Sequence, residues 1–261
     1  MTTVERWPCA RVGATCVHAV TLDGLLEYCA SALRVDTQRV LFYSNAHAVV
    51  LAEADADFRA ALAAADVVFC DGAGVWLAAR WLGAPLPARF TPPDWADRLG
   101  QVCAAAGRPL FLLGSTAEAV ARAGAALRRM APGLAVHTHH GYFDKAGPEN
   151  DAVIAQINAA RPGALLVGFG MPAQELWITA HRTRLNATLL LAVGGLFDYL
   201  SGVKRRGPRW LTDRGFEWLC RLLSEPRRLG RRYLLGLPRF AWIVARQKFG
   251  HASEAPGQSQ Q

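Results

Sequence analysis

Val40-Leu-Phe-Tyr-Ser44-Asn45 and, after an alanine-rich stretch, Asp66-Val-Val-Phe-Cys-Asp71-Gly72-Ala-Gly74 decide the fold. Each is a short apolar run that stops abruptly at a polar residue or a glycine. An apolar run without polar alternation reads as a strand buried on both faces. Between the two, residues 46–65 carry apolar side chains at helical spacing. The same alternation continues outward, with strands expected at 110–113, 134–137, 164–169 and 187–193 and helices at 94–106, 116–130 and 151–160. Strands alternating with helices of this length predict an α/β fold, a mostly parallel sheet covered by helices. Several expected strands run into Ser44-Asn45, Asp71-Gly72, Gly114-Ser115, Gly168-Phe-Gly170 or Gly194-Gly195. Ligands of open α/β sheets bind beyond the carboxyl ends of the strands, so these five loops predict one site.

Charge divides the chain. Residues 1–200 hold 16 Lys/Arg against 17 Asp/Glu, whereas residues 201–250 hold 13 against 3, so the net charge of +8 sits in the last fifth. A near-neutral body of 1–200, a basic helical appendage of 201–250 and a disordered tail of 251–261 are the expected parts. Such an appendage seeks phosphate, as nucleic acid, anionic lipid or a diphosphate-linked substrate. Leu229, Tyr233, Leu237, Phe240 and Val244 mark one face of a helix there, with Pro238 as an expected kink or break. A basic amphipathic helix carrying Trp and Phe fits a membrane surface, and an ordinary helix packed on the domain fits as well. The longest strongly apolar run, 187–197, is far short of the ~20 residues that span a bilayer. The N-terminal residues carry no signal-peptide pattern, and six cysteines without a C-x-x-C pair suggest reduced thiols in a cytosolic setting.

Some motifs carry chemistry and others read as local structure. Asp71, at a strand end beside Gly72 and Gly74, is a carboxylate that can act as a general base on a sugar hydroxyl. In Gly168-Phe-Gly-Met-Pro-Ala-Gln174-Glu175-Leu-Trp177, Pro172 suits the first turn of a helix whose N-terminus would favour phosphate, with Glu175 complementing the dipole. Ser115 with Glu118 reads as a capping box. Asp55-Ala-Asp57 lies in an expected helix and reads as a solvated face. His139-His140 lack companions at metal-ligand spacing, and no metal is expected.

In order along the chain, Ser44-Asn45-Ala-His, Asp71-Gly-Ala-Gly-Val, His140-Gly-Tyr-Phe143, Gly168-Phe-Gly-Met-Pro-Ala-Gln-Glu-Leu-Trp177, Val193-Gly-Gly-Leu-Phe-Asp198, Arg206-Gly-Pro-Arg-Trp210, Glu217-Trp-Leu-Cys-Arg221 and Glu225-Pro-Arg-Arg228 resemble the WecG/TagA/CpsF family of bacterial glycosyltransferases. The resemblance implies a Rossmann-like domain, no cofactor, and an inverting transfer from a UDP-sugar to a sugar on undecaprenyl diphosphate. It also implies a cytoplasmic protein, peripheral on the inner face of the cell membrane, in surface polysaccharide synthesis. By position, Asp71 would be the base with Asn45 beside it. Tyr43, Gly72, Arg89 and Gln174 would line the substrate site, and Arg221, Arg228 and Arg231 would hold diphosphate from the appendage. Tyr43 stands where many members have Thr, which keeps a catalytically idle sugar-nucleotide-binding regulator as an alternative. A nucleic-acid binder is the other rival, but a tail rich in Trp, Leu and Tyr speaks for lipid over nucleic acid. The apolar appendage face could also join two copies of the chain off the membrane.

Overall fold

Six strands lie in one parallel sheet in the order β4-β3-β8-β7-β5-β6: β3 (Arg39–Ser44), β4 (Val67–Cys70), β5 (Leu110–Gly114), β6 (Val136–His139), β7 (Ala164–Gly168) and β8 (Leu189–Ala192). This is a computed structural model that describes residues 7–204, 207, 222 and 226–250, and only the backbone at 226–229 and 231–233. All six expected strands form, within about two residues at each end. β3, β4, β5, β7 and β8 have buried side chains along nearly their whole length, as a sheet covered on both faces requires.

The helices among the described residues are α1 (Leu22–Val35), α2 (Ala46–Ala54), α3 (Ala56–Ala63), α4 (Ala73–Trp81), α5 (Ala96–Ala105), α6 (Ala117–Met130), α7 (Pro148–Ala160), α8 (Ala173–His181), α9 (Leu196–Leu200) and α10 (Pro226–Gly250). The single helix expected over 46–65 is two. Asp55 sits in extended backbone between α2 and α3, and its side chain accepts from the Phe58 amide, so it caps α3 instead of lying on a solvated face. The capping box expected at Ser115 and Glu118 does not form, and the N-cap lies one residue on. Thr116 caps α6 by accepting from the Ala119 amide, while Ser115, at φ +53°, turns its hydroxyl toward Asp198.

A two-stranded hairpin, β1 (Cys9–Val12) and β2 (Thr15–His18), precedes the sheet. Its register sets Cys9 opposite His18 and Arg11 opposite Cys16, so the two cysteines are diagonal neighbours on the exposed face. They form a disulfide with Cα atoms 5.6 Å apart, contrary to the expectation of thiols throughout. A spacing of seven residues gave no sign of it, because only the hairpin brings the pair together. Cys29, Cys70 and Cys103 are buried and free, as expected.

Helix α10 lies against α2 and the hairpin. Phe240, Ile243 and Val244 are buried in a small apolar cluster with Val12, Val17, Val49 and Val75. Gln247 extends this face: it accepts from the Gly13 amide at 2.7 Å and donates to the Arg11 carbonyl at 2.9 Å. The inward stripe therefore shares Phe240 and Val244 with the expected one and adds Ile243. The helix runs through Pro238 without the expected break. Pro238 and Leu234 are both exposed, so water can serve the carbonyl that the missing N–H leaves unpaired. Leu234, Leu235, Trp242 and Phe249 face outward.

The strand ends approach one another too closely for side chains. A Cβ on Gly168 would lie 2.7 Å from the Gly194 carbonyl oxygen and 2.9 Å from the Phe197 ring, whereas one on Gly195 would meet nothing within 4 Å. Gly168→Ala is therefore expected to cost about 2–3 kcal/mol, a fall in Tm of roughly 5–10 °C, with Gly195→Ala within about 1 kcal/mol of wild type. Thermal unfolding of the two variants beside wild type checks this, and equal midpoints would contradict it.

Candidate active site

Parallel pairing brings the five predicted loops to the same edge of the sheet. Crossovers leave β5 toward β6 but leave β7 toward β8, so a topological switch falls between β5 and β7, where Gly114 pairs with Gly168. Gly114, Gly168 and Gly194 stand in a row there, each backbone filling the space a neighbour's Cβ would need. Beyond Gly194 the row meets the Tyr43 hydroxyl, 2.6 Å from the place of a Gly194 Cβ.

On the β3–β4 side, Asn45 and Asp71 meet. Asn45 is the N-cap of α2, and its Oδ1 accepts from the amides of His47 and Ala48 at 3.0 and 3.1 Å. With the oxygen so engaged, Nδ2 is turned to Asp71 and donates to Oδ2 at 3.0 Å. The helix cap thus orients the group that holds the carboxylate. Asp71 continues the ladder past the end of β4 through its own amide, which donates to the Ser44 carbonyl at 2.9 Å, and is only 7% exposed. Gly72 follows at φ +100°, a left-handed geometry that suits glycine and starts α4 beside the carboxylate. Arg89 is brought to the same place because the Phe90 amide donates to the Cys70 carbonyl and the Phe90 ring stacks on Phe69 at 4.9 Å. Burial pushes the Cys70 thiol up to about 12, with Asp71 raising it further and Arg89 opposing. Both charges are therefore close to one strand end.

On the β7–β8 side, Gln174 is wholly buried in the first turn of α8. Its Oε1 accepts from the amides of Gly170 at 3.2 Å and Gly194 at 3.0 Å, and its Nε2 donates to the Tyr43 hydroxyl at 3.3 Å and to Glu175 Oε1 at 2.8 Å. Gln174 therefore joins two site loops and the β3 tyrosine, and all of its side-chain hydrogen-bonding groups are engaged within the protein. Pro172 stands at the N-cap, one place ahead of the position expected, and α8 begins at Ala173. Trp177 anchors this helix by donating to Asn150 Oδ1 at 2.7 Å.

Glu175 is the residue that sequence reasoning undervalued. It is wholly buried, with Oε2 lacking a hydrogen-bond partner among the described residues, so it is no surface complement to a dipole. Burial pushes its carboxyl up to about 7, against the hydrogen bond from Gln174. A signal was present: Glu175 shares a helix face with buried Ile178 three residues on. Asp198 was also missed as a tie between loops. It accepts from the Ser115 hydroxyl at 2.8 Å and pairs with Lys204 at 2.8 Å, joining the loop after β5 to the segment after α9.

Arg221 lies outside the described residues, and so do the side chains of Arg228 and Arg231, although helix α10 carries the last two. Asn45, Asp71, Gly72 and Arg89 come together at the ends of β3 and β4, and Tyr43 and Gln174 together beside Gly194. Among the described residues no group of three or more His, Cys, Asp or Glu is placed to hold a metal ion. No helix there is long and apolar enough to cross a membrane.

A profile of the glycosyl transferase WecG/TagA/CpsF family matches residues 10–254. Curated relatives include the N-acetylglucosaminyldiphosphoundecaprenol N-acetyl-beta-D-mannosaminyltransferases of Staphylococcus aureus strains MW2 and NCTC 8325 / PS 47. Each is 33% identical over 184 residues, which is 70% of this chain and 70% of the relative. The same enzyme of strain MRSA252 is 32% identical over that length.

The buried acid gives a pH signature. Folding holds the Glu175 proton that the unfolded chain loses near pH 4.5, so stability falls as pH rises from about 4.5 to about 7 and levels off above. Glu175→Gln removes that dependence. Urea unfolding at pH 5 and pH 8 should show the variant gaining about 2–3 kcal/mol on wild type between the two values. Parallel pH profiles would show that the carboxyl does not titrate in this range.

Proposed function

Because the chain belongs to the WecG/TagA/CpsF family of glycosyltransferases, we propose that it moves a hexose, N-acetylhexosamine or hexuronic acid from a UDP-sugar to a sugar carried on a polyprenyl diphosphate. The reading rests above all on Asn45 and Asp71, a carboxylate held by an amide at the open end of a parallel sheet. The matched relatives are named for an undecaprenyl-diphosphate-linked acceptor, which supports the acceptor class. Their N-acetylmannosaminyl group is one donor within the range proposed here.

The proposed reaction is a single displacement. Asp71 accepts the proton of an acceptor hydroxyl, and the freed oxygen forms a bond to the anomeric carbon as that carbon's bond to the diphosphate breaks. Attack opposite the leaving group inverts the anomeric configuration. Asn45 keeps one carboxylate oxygen of Asp71 in place, which spares the base a rotamer search. Arg89 beside the base, and Arg221, Arg228 and Arg231 from the appendage, supply positive charge for the departing UDP, and guanidinium forks suit diphosphate geometry.

The outward face of α10 supports a peripheral position on an anionic membrane, where the lipid-borne acceptor resides. Leu234, Leu235, Trp242 and Phe249 are exposed, Phe249 meets the half-exposed Trp81 ring at 5.9 Å, and Arg239, Arg246 and Lys248 flank them. This divides the chain in function as well: 1–200 carries the base, and 201–250 brings the domain to the lipid.

Asp71→Asn is expected to lower turnover by at least a thousandfold while the protein folds and still binds UDP. Wild-type-like rates in that variant would remove Asp71 from the role. The assay is a panel of UDP-sugars with a lipid-diphosphate-linked N-acetylglucosamine or glucose acceptor in the presence of EDTA. Product formation identifies the donor, and UDP binding without product from any donor would favour the idle regulator. The double substitution Trp242→Ser and Phe249→Ser is expected to weaken binding to phosphatidylglycerol vesicles at least fivefold in co-sedimentation. Unchanged vesicle binding would rule out this face as the docking surface.

A further inference from the structure

We infer that Glu175 is a positioning residue for the transfer: its carboxyl fixes the side-chain amide of Gln174, and through it the spacing of the two loops that flank the glycine row. The inference rests on the transferase reading above.

A glutamine amide has two ends of similar shape, so its orientation depends on what faces each end. Here both ends face unambiguous partners. Gln174 Oε1 meets two N–H donors, Gly170 and Gly194, which belong to the loops after β7 and β8. Nε2 meets Glu175 Oε1 at 2.8 Å, the shortest of the four contacts, and the Tyr43 hydroxyl, which can accept or donate and so discriminates less. Glu175 is therefore the acceptor that tells the amide which way round to sit. Without it, one buried N–H of Gln174 loses its partner, and the oxygen that bridges Gly170 to Gly194 is no longer held against them.

The arrangement is costly, which argues that it is kept for a purpose. Glu175 Oε2 is wholly buried and has no hydrogen-bond partner among the described residues, a rare condition in a folded protein. Burial alone pushes the carboxyl well above its ordinary range. A core built only for stability would place an apolar residue at this point of α8, next to buried Trp177 and Ile178. Gly194 adds a geometric reason for accuracy: it lies at φ +53° with the Tyr43 hydroxyl in the space a Cβ would need, and Gln174 bonds to both.

The test is a double-mutant cycle on the full chain with Glu175→Met, Gln174→Met and the pair, reading kcat and KM for the UDP-sugar identified by the panel. Each single change is expected to lower kcat at least tenfold with KM within about threefold, and the pair is expected to be no worse than the poorer single. If Glu175 acts through Gln174, its loss is silent once Gln174 is gone. Losses that multiply in the pair, or a folded Glu175→Met protein within threefold of wild-type kcat, overturn the inference. Should Glu175→Met fail to fold, Glu175→Gln decides. It retains an acceptor for Gln174 Nε2 and is expected to keep at least a third of wild-type kcat, and a tenfold loss in folded protein overturns the inference. Absence of turnover in wild type would instead refute the transferase reading.

Discussion

Backbone meets backbone across the carboxyl edge of the sheet, and the layout of the candidate site depends on that closeness. Neighbouring strands of any parallel sheet run side by side, but side chains usually fill the space above their ends. Here Gly114, Gly168 and Gly194 remove those side chains from three neighbouring strands, and a Cβ at any of them would fall within 2.7 Å of an atom already present. The result is a set of close backbone contacts with polar groups on either side. One flank is the carboxylate at the end of β4, and the other is the buried amide network beneath α8.

The two flanks use the same device in opposite ways. Asn45 spends its oxygen on capping a helix and so has its nitrogen left for Asp71. Gln174 spends its oxygen on two loop amides and gives its nitrogen to Glu175 and Tyr43. In each case an amide with two different ends becomes a connector of fixed sense. The first carboxylate follows the end of β4, and the second lies in the first turn of α8. Both carboxyls are buried, Asp71 slightly less than Glu175, and each is held by the nitrogen end of an amide.

The parallel sheet was legible in residues such as Val40, Leu41, Val67 and Leu166, because strands buried on both faces leave no polar alternation to confuse. Loops ending in Asn45, Asp71 and Gly168 pointed to the site edge for the same reason: the apolar run simply stopped. The hairpin at 9–18 was not legible, since its apolar residues are few and its cysteines pair only through cross-strand register. The break at Asp55 was hidden by alanines that favour helix on both sides, and only the capping geometry reveals it. Glu175 was misread because a charged residue in a first helical turn is commonly exposed, and sequence alone does not say which face of a helix meets the core. Tyr43 was expected at the substrate. In the structure its hydroxyl accepts a hydrogen bond from Gln174.

Gln247 reaches across 234 residues to Gly13 and 236 to Arg11, and the turn of the first hairpin closes on it. A two-stranded ribbon is barely stable by itself, so residues 9–18 emerge from synthesis without the partner that completes them. That partner is almost the last stretch described here. Contacts so distant in sequence form late and slowly, because a long loop must close before they gain anything. The hairpin and α10 thus join the two ends of the described chain. A chain halted before residue 247 would carry the whole α/β sheet and lack the two hydrogen bonds that tie α10 to the turn of the hairpin.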